Sequence, residues 1–288
     1  MATLELHPED ATYPVSLADL PNAPTRLWVR GALPLGPRVA IVGTRRADQE
    51  ACAFTERMAA VFAHHGVGVV SGGALGIDAA AHRGALDGGG QTWVVQAASL
   101  ADPYPACHRR LFAEVLERGG WLSETPPGAP PVRGRFLARN RLIAALADHL
   151  IVVQAPARSG ALSTARWAAR LGRPVHVVPG APWDPRAEGA VAWLDGRAQP
   201  CLGAGGVLRA LGIAPSPARS VPLPEIPAAL CTLADALSGR ARAVDTLVER
   251  TGSTSVEVQR GLVQLLGLGV AKRRGAGWIR TTGYNVSE

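Results

Sequence analysis

The stretch VVSGGALGIDAAAH, Val69–His82, decides the fold. A β-branched run ends in two adjacent glycines, a third glycine follows three residues on, and an alanine-rich segment begins directly after it. This is a strand, a tight loop and a helix start, the junction where α/β proteins offer backbone N–H groups and a positive helix N-terminus to an anion. The spacing limits which anion. A dinucleotide fingerprint needs G-x-G-x-x-G, but Ser71, Gly73 and Gly76 stand at those places, so the first glycine is lost. A P-loop needs a lysine, and none lies near. Two readings survive: a phosphate cradle without either nucleotide signature, and a tight turn that holds no ligand.

Outward from that junction, between Pro34 and Pro179, short β-branched runs alternate with alanine-rich helical stretches. The runs are Arg38–Val42, Val67–Ser71, Thr92–Gln96, Leu150–Gln154 and Pro174–Val178. The helical stretches are Gln49–His64, Ile77–Leu86, Arg109–Arg118, Asn140–Leu146 and Ser163–Leu171. The alternation predicts an α/β domain, a parallel sheet covered by helices. Residues 213–227 carry too many prolines for a helix or a central strand and read as a linker. Beyond it, residues 228–288 show three helical patterns and then two short strands around Gly275-Ala276-Gly277, the order of a small winged-helix domain. Its third helix opens on the capping-box pattern TSVE at Thr254. That helix would be the recognition element if the domain binds DNA, but Glu257, Gln259, Arg260 and Gln264 give it little positive charge, so a packing or partner-binding domain stays open.

With 288 residues and 47% hydrophobic composition, the chain can bury a large core. A formal charge of +7 favours a polyanionic partner, although composition bias alone can produce it. Lys272 is the only lysine, so the cations are arginines, which suit bidentate phosphate contacts and stacking. Cys52, Cys107, Cys201 and Cys231 form no CxxC pair or metal-spaced cluster, and neither metal nor cofactor is expected. The acidic start MATLELHPED lacks a signal-peptide pattern and no apolar run is long enough to span a bilayer, so a cytoplasmic protein without a membrane partner is expected.

Two more strand ends resemble anion sites. VGTRRADQ places Gly43, Thr44, Arg45 and Arg46 at the carboxyl edge of the sheet, and QAPARSGALSTA offers Ser159, Gly160, Ser163 and Thr164 at a helix start. The segment PVRGRFLARNRLIAAL then packs Arg133, Arg135, Arg139 and Arg141 around Phe136, a basic ridge without neighbouring carboxylates in sequence. Phe136 could stack a base or anchor the loop in the core, and the anchor is the expected role. A mononucleotide does not need four arginines; a polynucleotide does.

Taken in order, VGTRR, SGGALGIDAAAHRGAL, DPYP, LSETPPGAPP, RFLARNRLIAAL, SGALSTA and GRPVHVVPG resemble the DNA-processing protein A (DprA/Smf) family of bacterial natural transformation, over Tyr13 to about Leu211. The resemblance implies an extended Rossmann-like parallel sheet covered by helices over residues 34–212, after a short entry segment of residues 1–33. It implies a non-catalytic protein that binds single-stranded DNA with little sequence preference, protects it, helps load the RecA recombinase and self-associates as a dimer. Duplex DNA is expected to bind too, more weakly, through the +7 charge at low salt. Carried over, the resemblance implies DNA contacts at Arg45 and its neighbours, at Ser71, Gly72, Gly73 and Gly76, and at Arg135, Arg139, Asn140 and Arg141. Asp78, a carboxylate at a helix start, is expected to hold the glycine loop through backbone N–H groups or to pair with an arginine rather than meet phosphate. Departures from the family pattern are Ala97-Ala98 after the third strand, Leu137 after Phe136, and Gln154 where an acidic residue is usual.

The rival readings are enzymes and a duplex reader. A lysine-decarboxylase-like phosphoribohydrolase shares this kind of sheet but needs a PGGxGTxxE glutamate, where this chain has Thr164, Ala165 and Arg166. A nuclease needs clustered carboxylates, whereas Asp78, Asp102 and Glu124 lie on separate segments. A sequence-specific transcription factor would depend on the weakly charged third helix.

Overall fold

The computed structural model of the protein describes residues 2–101, 104–129, 132–181, 183–215, 226–238 and 241–280. The chain divides into two compact units, Met1–Pro215 and Ser216–Glu288. Most of the expected linker, and Asp102, lie outside the described residues.

The larger unit is one nine-stranded sheet between two layers of helices. In chain order its elements are β1 (Thr3–Leu6), α1 (Val15–Ala18), β2 (Leu27–Gly31), β3 (Arg38–Gly43), α2 (Gln49–His64), β4 (Gly68–Ser71), α3 (Ile77–Asp87) and β5 (Thr92–Gln96). Next come α4 (Arg109–Arg118), β6 (Gly120–Ser123), α5 (Arg133–Ala145), β7 (His149–Val153), α6 (Gly160–Arg170), β8 (Val175–Val177), α7 (Glu188–Val191), β9 (Gln199–Pro200) and α8 (Ala204–Ala210). The sheet order is β1-β2-β6-β5-β4-β3-β7-β8-β9. Strands from β3 onward pair in parallel, while β2 pairs antiparallel with both β6 and β1. The expected α/β parallel sheet is therefore present, and residues 1–33 supply its antiparallel edge rather than standing apart from it.

The central strands β3, β4, β5 and β7 read as unbroken apolar runs because helices cover both faces. One face buries Val42, Val70, Leu122, Leu142 and Leu150; the other buries Ile41, Phe62, Val69, Ile77 and Ile151. Helix α2 starts where Asp48 caps it, its carboxylate accepting from the Ala51 N–H at 2.7 Å. Helix α5 differs from expectation. It begins at Arg133, two turns before Asn140, because its buried residues cluster in the C-terminal half while the arginine-rich start runs out over the sheet edge. An apolar period could be read only where the helix is covered.

The smaller unit has the expected order: α9 (Ala228–Ala236), α10 (Val244–Thr251), α11 (Ser255–Gly267), then the antiparallel pair β10 (Ala271–Arg274) and β11 (Gly277–Arg280). Leu230, Leu233, Leu247, Val258, Leu262 and Leu265 form its core. The capping box at Thr254 and Glu257 closes in both directions, at 3.3 and 2.8 Å.

Candidate nucleic-acid interface

Strands β3 and β7 lie side by side, yet the chain leaves β3 toward β4 on one side and β7 toward β8 on the other. Their following loops diverge, and a crevice opens at the carboxyl ends of the strands, the place where open α/β sheets bind ligands. It has a volume of about 350 Å³. Gly43, Thr44, Arg45 and Arg46 line it from the β3–α2 loop, Ala74 and Asp78 from the glycine loop, Phe136, Leu137, Arg139 and Asn140 from α5, and Arg158, Ser159 and Gly160 from the start of α6. Three of the predicted segments and part of the glycine loop thus converge on one site.

The glycine loop holds an anion of its own. The Asp78 carboxylate turns back into the start of α3, where one of its oxygens accepts from the Gly72 N–H at 3.2 Å and the Ala74 N–H at 3.3 Å. Two amides that a phosphate would have used are thereby occupied. Behind the loop lies Arg139, 5% exposed, donating through Nη1 to the Gly72 carbonyl at 2.8 Å and to the Val95 carbonyl. Burial pulls the guanidinium down to about 10, so it stays cationic at neutral pH. Burial also pushes the Asp78 carboxyl above its ordinary range, against the pull of Arg139, the two amides and Arg45.

The glycines serve this packing. A Cβ on Gly72 would stand 2.5 Å from the Arg139 guanidinium, and one on Gly43 would stand 2.0 Å from the Val153 carbonyl oxygen. Gly76 adopts φ +74° and carries α3 past the Thr44 carbonyl, 2.4 Å from where its Cβ would be. Ser71 donates to the Ile41 carbonyl at 2.6 Å and is fully buried, and the Gly73 carbonyl hydrogen-bonds His108 at 3.0 Å.

The basic ridge of α5 does not form as one surface. Arg139 points inward, and Arg141 pairs with Glu124 at 2.5 Å, outside the crevice lining. Arg135 is half-buried and engaged, which leaves Arg133 exposed at the helix start, one turn from Phe136 and Leu137. Glu124 is far from Arg141 in sequence, so that pairing carries no local signal, whereas Asp78 takes the first of its two expected roles, the hold on backbone N–H groups. Asn140 is buried and donates to the Gly160 carbonyl at 3.0 Å, tying α5 to α6, while the Ser159 hydroxyl accepts from the Ala161 N–H as the cap of α6.

What remains open is cationic and aromatic. Arg45, Arg46 and Arg158 are exposed around the crevice. Arg45 lies over the Phe136 ring at 5.7 Å from its centre, and the Tyr104 ring lies 5.3 Å from Phe136 on its far flank in sequence. Phe136 is half-exposed and lines the crevice; the expectation that it anchors the core is corrected. Its position on the uncovered first half of α5 is the reason. Tyr104 and Arg158 went unassigned in the sequence reading, although each lies within a motif quoted there, DPYP and QAPARSG.

Residues 5–212, most of this unit, match the family described as DNA recombination-mediator protein A. The chain belongs to that family. A putative DNA processing protein DprA of Mycobacterium tuberculosis is 39% identical over 269 residues, 89% of this chain and 69% of that protein. The X-ray structure of DNA processing protein A from Streptococcus pneumoniae superposes with a TM-score of 0.68 at 34% identity, covering 72% of this chain and 73% of that one. DNA processing protein A from Helicobacter pylori, whose structure concerns its single-stranded DNA binding mode, superposes with a TM-score of 0.65 at 32% identity, covering 73% and 95%.

Proposed function

We propose that this protein binds single-stranded DNA in the crevice between β3 and β7. The observation that carries the reading is the meeting of three exposed arginines, Arg45, Arg46 and Arg158, with the Phe136 ring at the sheet's topological switch point, where Arg45 lies over that ring and Tyr104 makes a tilted contact with it. The arginines neutralise successive backbone phosphates, and an unstacked base lies against Phe136. Little sequence preference follows, since neither phosphates nor ring faces distinguish bases strongly. Asp78, Arg139 and the glycines brace the crevice floor instead of touching the strand. The Helicobacter relative supports the choice of ligand.

Within the same reading, the protein acts in natural transformation and recombination in the cytoplasm, as a homodimer that protects incoming single strands and helps load RecA. The smaller unit is read as a winged helix. Its α11 leaves Val256, Val263 and Leu266 exposed, which suits a protein surface better than a phosphate backbone. A hydrolase is disfavoured by the crevice lining: among the described residues that line it the acidic one is Asp78, committed to two amides. Glu124 is likewise committed to Arg141.

Fluorescence anisotropy of labelled oligo-dT and a matched duplex, across a salt series, tests the proposal. Single strands should bind more tightly than duplex. Arg45→Ala should lower the slope of log affinity against log salt by about 0.7, one phosphate contact. Phe136→Ala should cost about 1–3 kcal/mol, one stacked base. Wild-type affinity in both variants would sink the crevice.

A further inference from the structure

Trp183 is 86% exposed, the largest value among the described large hydrophobic residues. Isolated exposed apolar side chains are ordinary, but this one stands on a turn that is unusually well held. The Asp184 N–H donates to the Ala181 carbonyl at 2.9 Å, and the Ala187 N–H returns to the Asp184 carbonyl at 2.9 Å. Arg186 grips Asp184 with two parallel bonds of 3.0 Å each, through Nε and Nη2. Its Nη1 reaches Asp48 at 3.1 Å.

These bonds tie the turn to both lips of the crevice. Asp48 follows the Arg45–Arg46 loop and caps α2. On the other side the Ala190 N–H donates to the Ala155 carbonyl at 2.9 Å, and Gly189 packs so closely on the Pro156–Ala157 backbone that a Cβ would stand 2.6 Å from the Pro156 oxygen. That backbone leads directly into Arg158 and Ser159 of the crevice lining. The exposed indole directly precedes a segment, residues 184–190, that is bonded to both lips of a cationic crevice, so the backbone after it has less freedom to lose on binding. Bases unpaired from a partner strand have free ring faces for an indole, whereas a duplex hides them.

We infer that Trp183 forms a second base-stacking subsite for single-stranded nucleic acid, beyond the crevice on the carboxyl edge of the sheet. The inference rests on the crevice reading given above. Because Asp48 and Asp184 neutralise Arg186, the subsite acts through stacking and adds no phosphate contact.

The test is anisotropy with the full chain on oligo-dT of about twenty and about six nucleotides, lengths chosen to exceed and to fall short of the combined track. Trp183→Ala should weaken the longer oligonucleotide roughly 5- to 100-fold, the range of one lost stack, and leave the shorter one unchanged. The salt slope should stay at the wild-type value, unlike that of Arg45→Ala, and Trp183→Phe should recover part of the loss. If Arg45→Ala weakens both lengths while Trp183→Ala weakens neither, the crevice stands and the subsite is overturned. If neither variant binds differently, both fall. A Trp183→Ala chain that binds normally but no longer self-associates in sedimentation would make this face a contact between copies, which also overturns the subsite.

Discussion

Replacing Arg139 by Met separates a brace from a DNA contact. Methionine fills much of the same channel but removes the donor from the Gly72 and Val95 carbonyls and the cation from beside Asp78. Asp78 is 6% exposed, so its carboxylate would be left buried without compensation. Leaving the Gly72 and Val95 carbonyls without a donor costs about 1–3 kcal/mol each, and the lost attraction for the buried Asp78 carboxylate adds to it. The cost should depend on pH in one direction. Burial raises the folded-state value for Asp78, so the native protein keeps a proton that the unfolded chain releases, and stability falls as pH rises above the unfolded value near 4. Without Arg139 the folded value rises further, the window widens upward, and the variant should lose up to about 1.4 kcal/mol more for each pH unit within it. Asp78→Asn in the same chain keeps an oxygen for the two amides and removes the buried charge, so the double variant should recover about 2 kcal/mol or more relative to the sum of the single costs. Denaturant unfolding followed by tryptophan fluorescence measures this in the large unit, where six of the seven tryptophans lie. A cost below about 1 kcal/mol, or one that does not grow as pH rises above the unfolded Asp78 value near 4, would refute the brace. So would a folded Arg139→Met chain whose only defect is a lower salt slope for single-strand binding.

Gly43→Ala should destabilise by about 1–3 kcal/mol or more, seen as a lower melting temperature, because the new methyl meets the Val153 carbonyl and Ile77 and neither can retreat from the sheet. His176, 3% exposed and 2.8 Å from His149, is pushed down to about 4 by burial and then by its neighbour. The native chain therefore binds fewer protons than the unfolded one between about pH 4 and 6.5, and stability should fall as pH drops through that window, by up to about 3 kcal/mol. His176→Gln should flatten that part of the pH profile in thermal melts.

The central strands were legible because burial on both faces makes them continuous apolar runs, and α2 and α4 because each buries apolar residues at helical spacing along one face. Strand β6, Gly120–Ser123, escaped notice: four residues between a helix and a loop show no period. The edge strands β1 and β2 were hidden in the same way, and their antiparallel pairing is a long-range fact that local pattern does not encode. At the site, the sequence put Arg45, Arg46, Ser159 and Gly160 on strand-end loops, and sheet topology brings those loops together. It could not tell which arginines point inward. Arg139 and Arg141 are two residues apart on α5, and their partners, the Gly72 and Val95 carbonyls for one and Glu124 for the other, come from segments distant in sequence.

The opening glycine loop therefore takes a different meaning from the one its composition invites. Helix N-termini at strand ends attract anions, and this sheet offers two beside the crevice, those of α3 and α6. At α3 the chain supplies its own anion, Asp78, and backs it with a buried arginine, so a phosphate entering there would displace a carboxylate from two hydrogen bonds and meet its charge. At α6 the cap is a neutral serine, and an exposed arginine precedes it. The same fold thereby closes the glycine loop at α3 to a phosphate and leaves open the start of α6, which lines the crevice together with Arg45 and Phe136. A site with one phosphate-accepting helix end, dispersed arginines and a half-exposed aromatic fits a strand that passes through better than a nucleotide that stays.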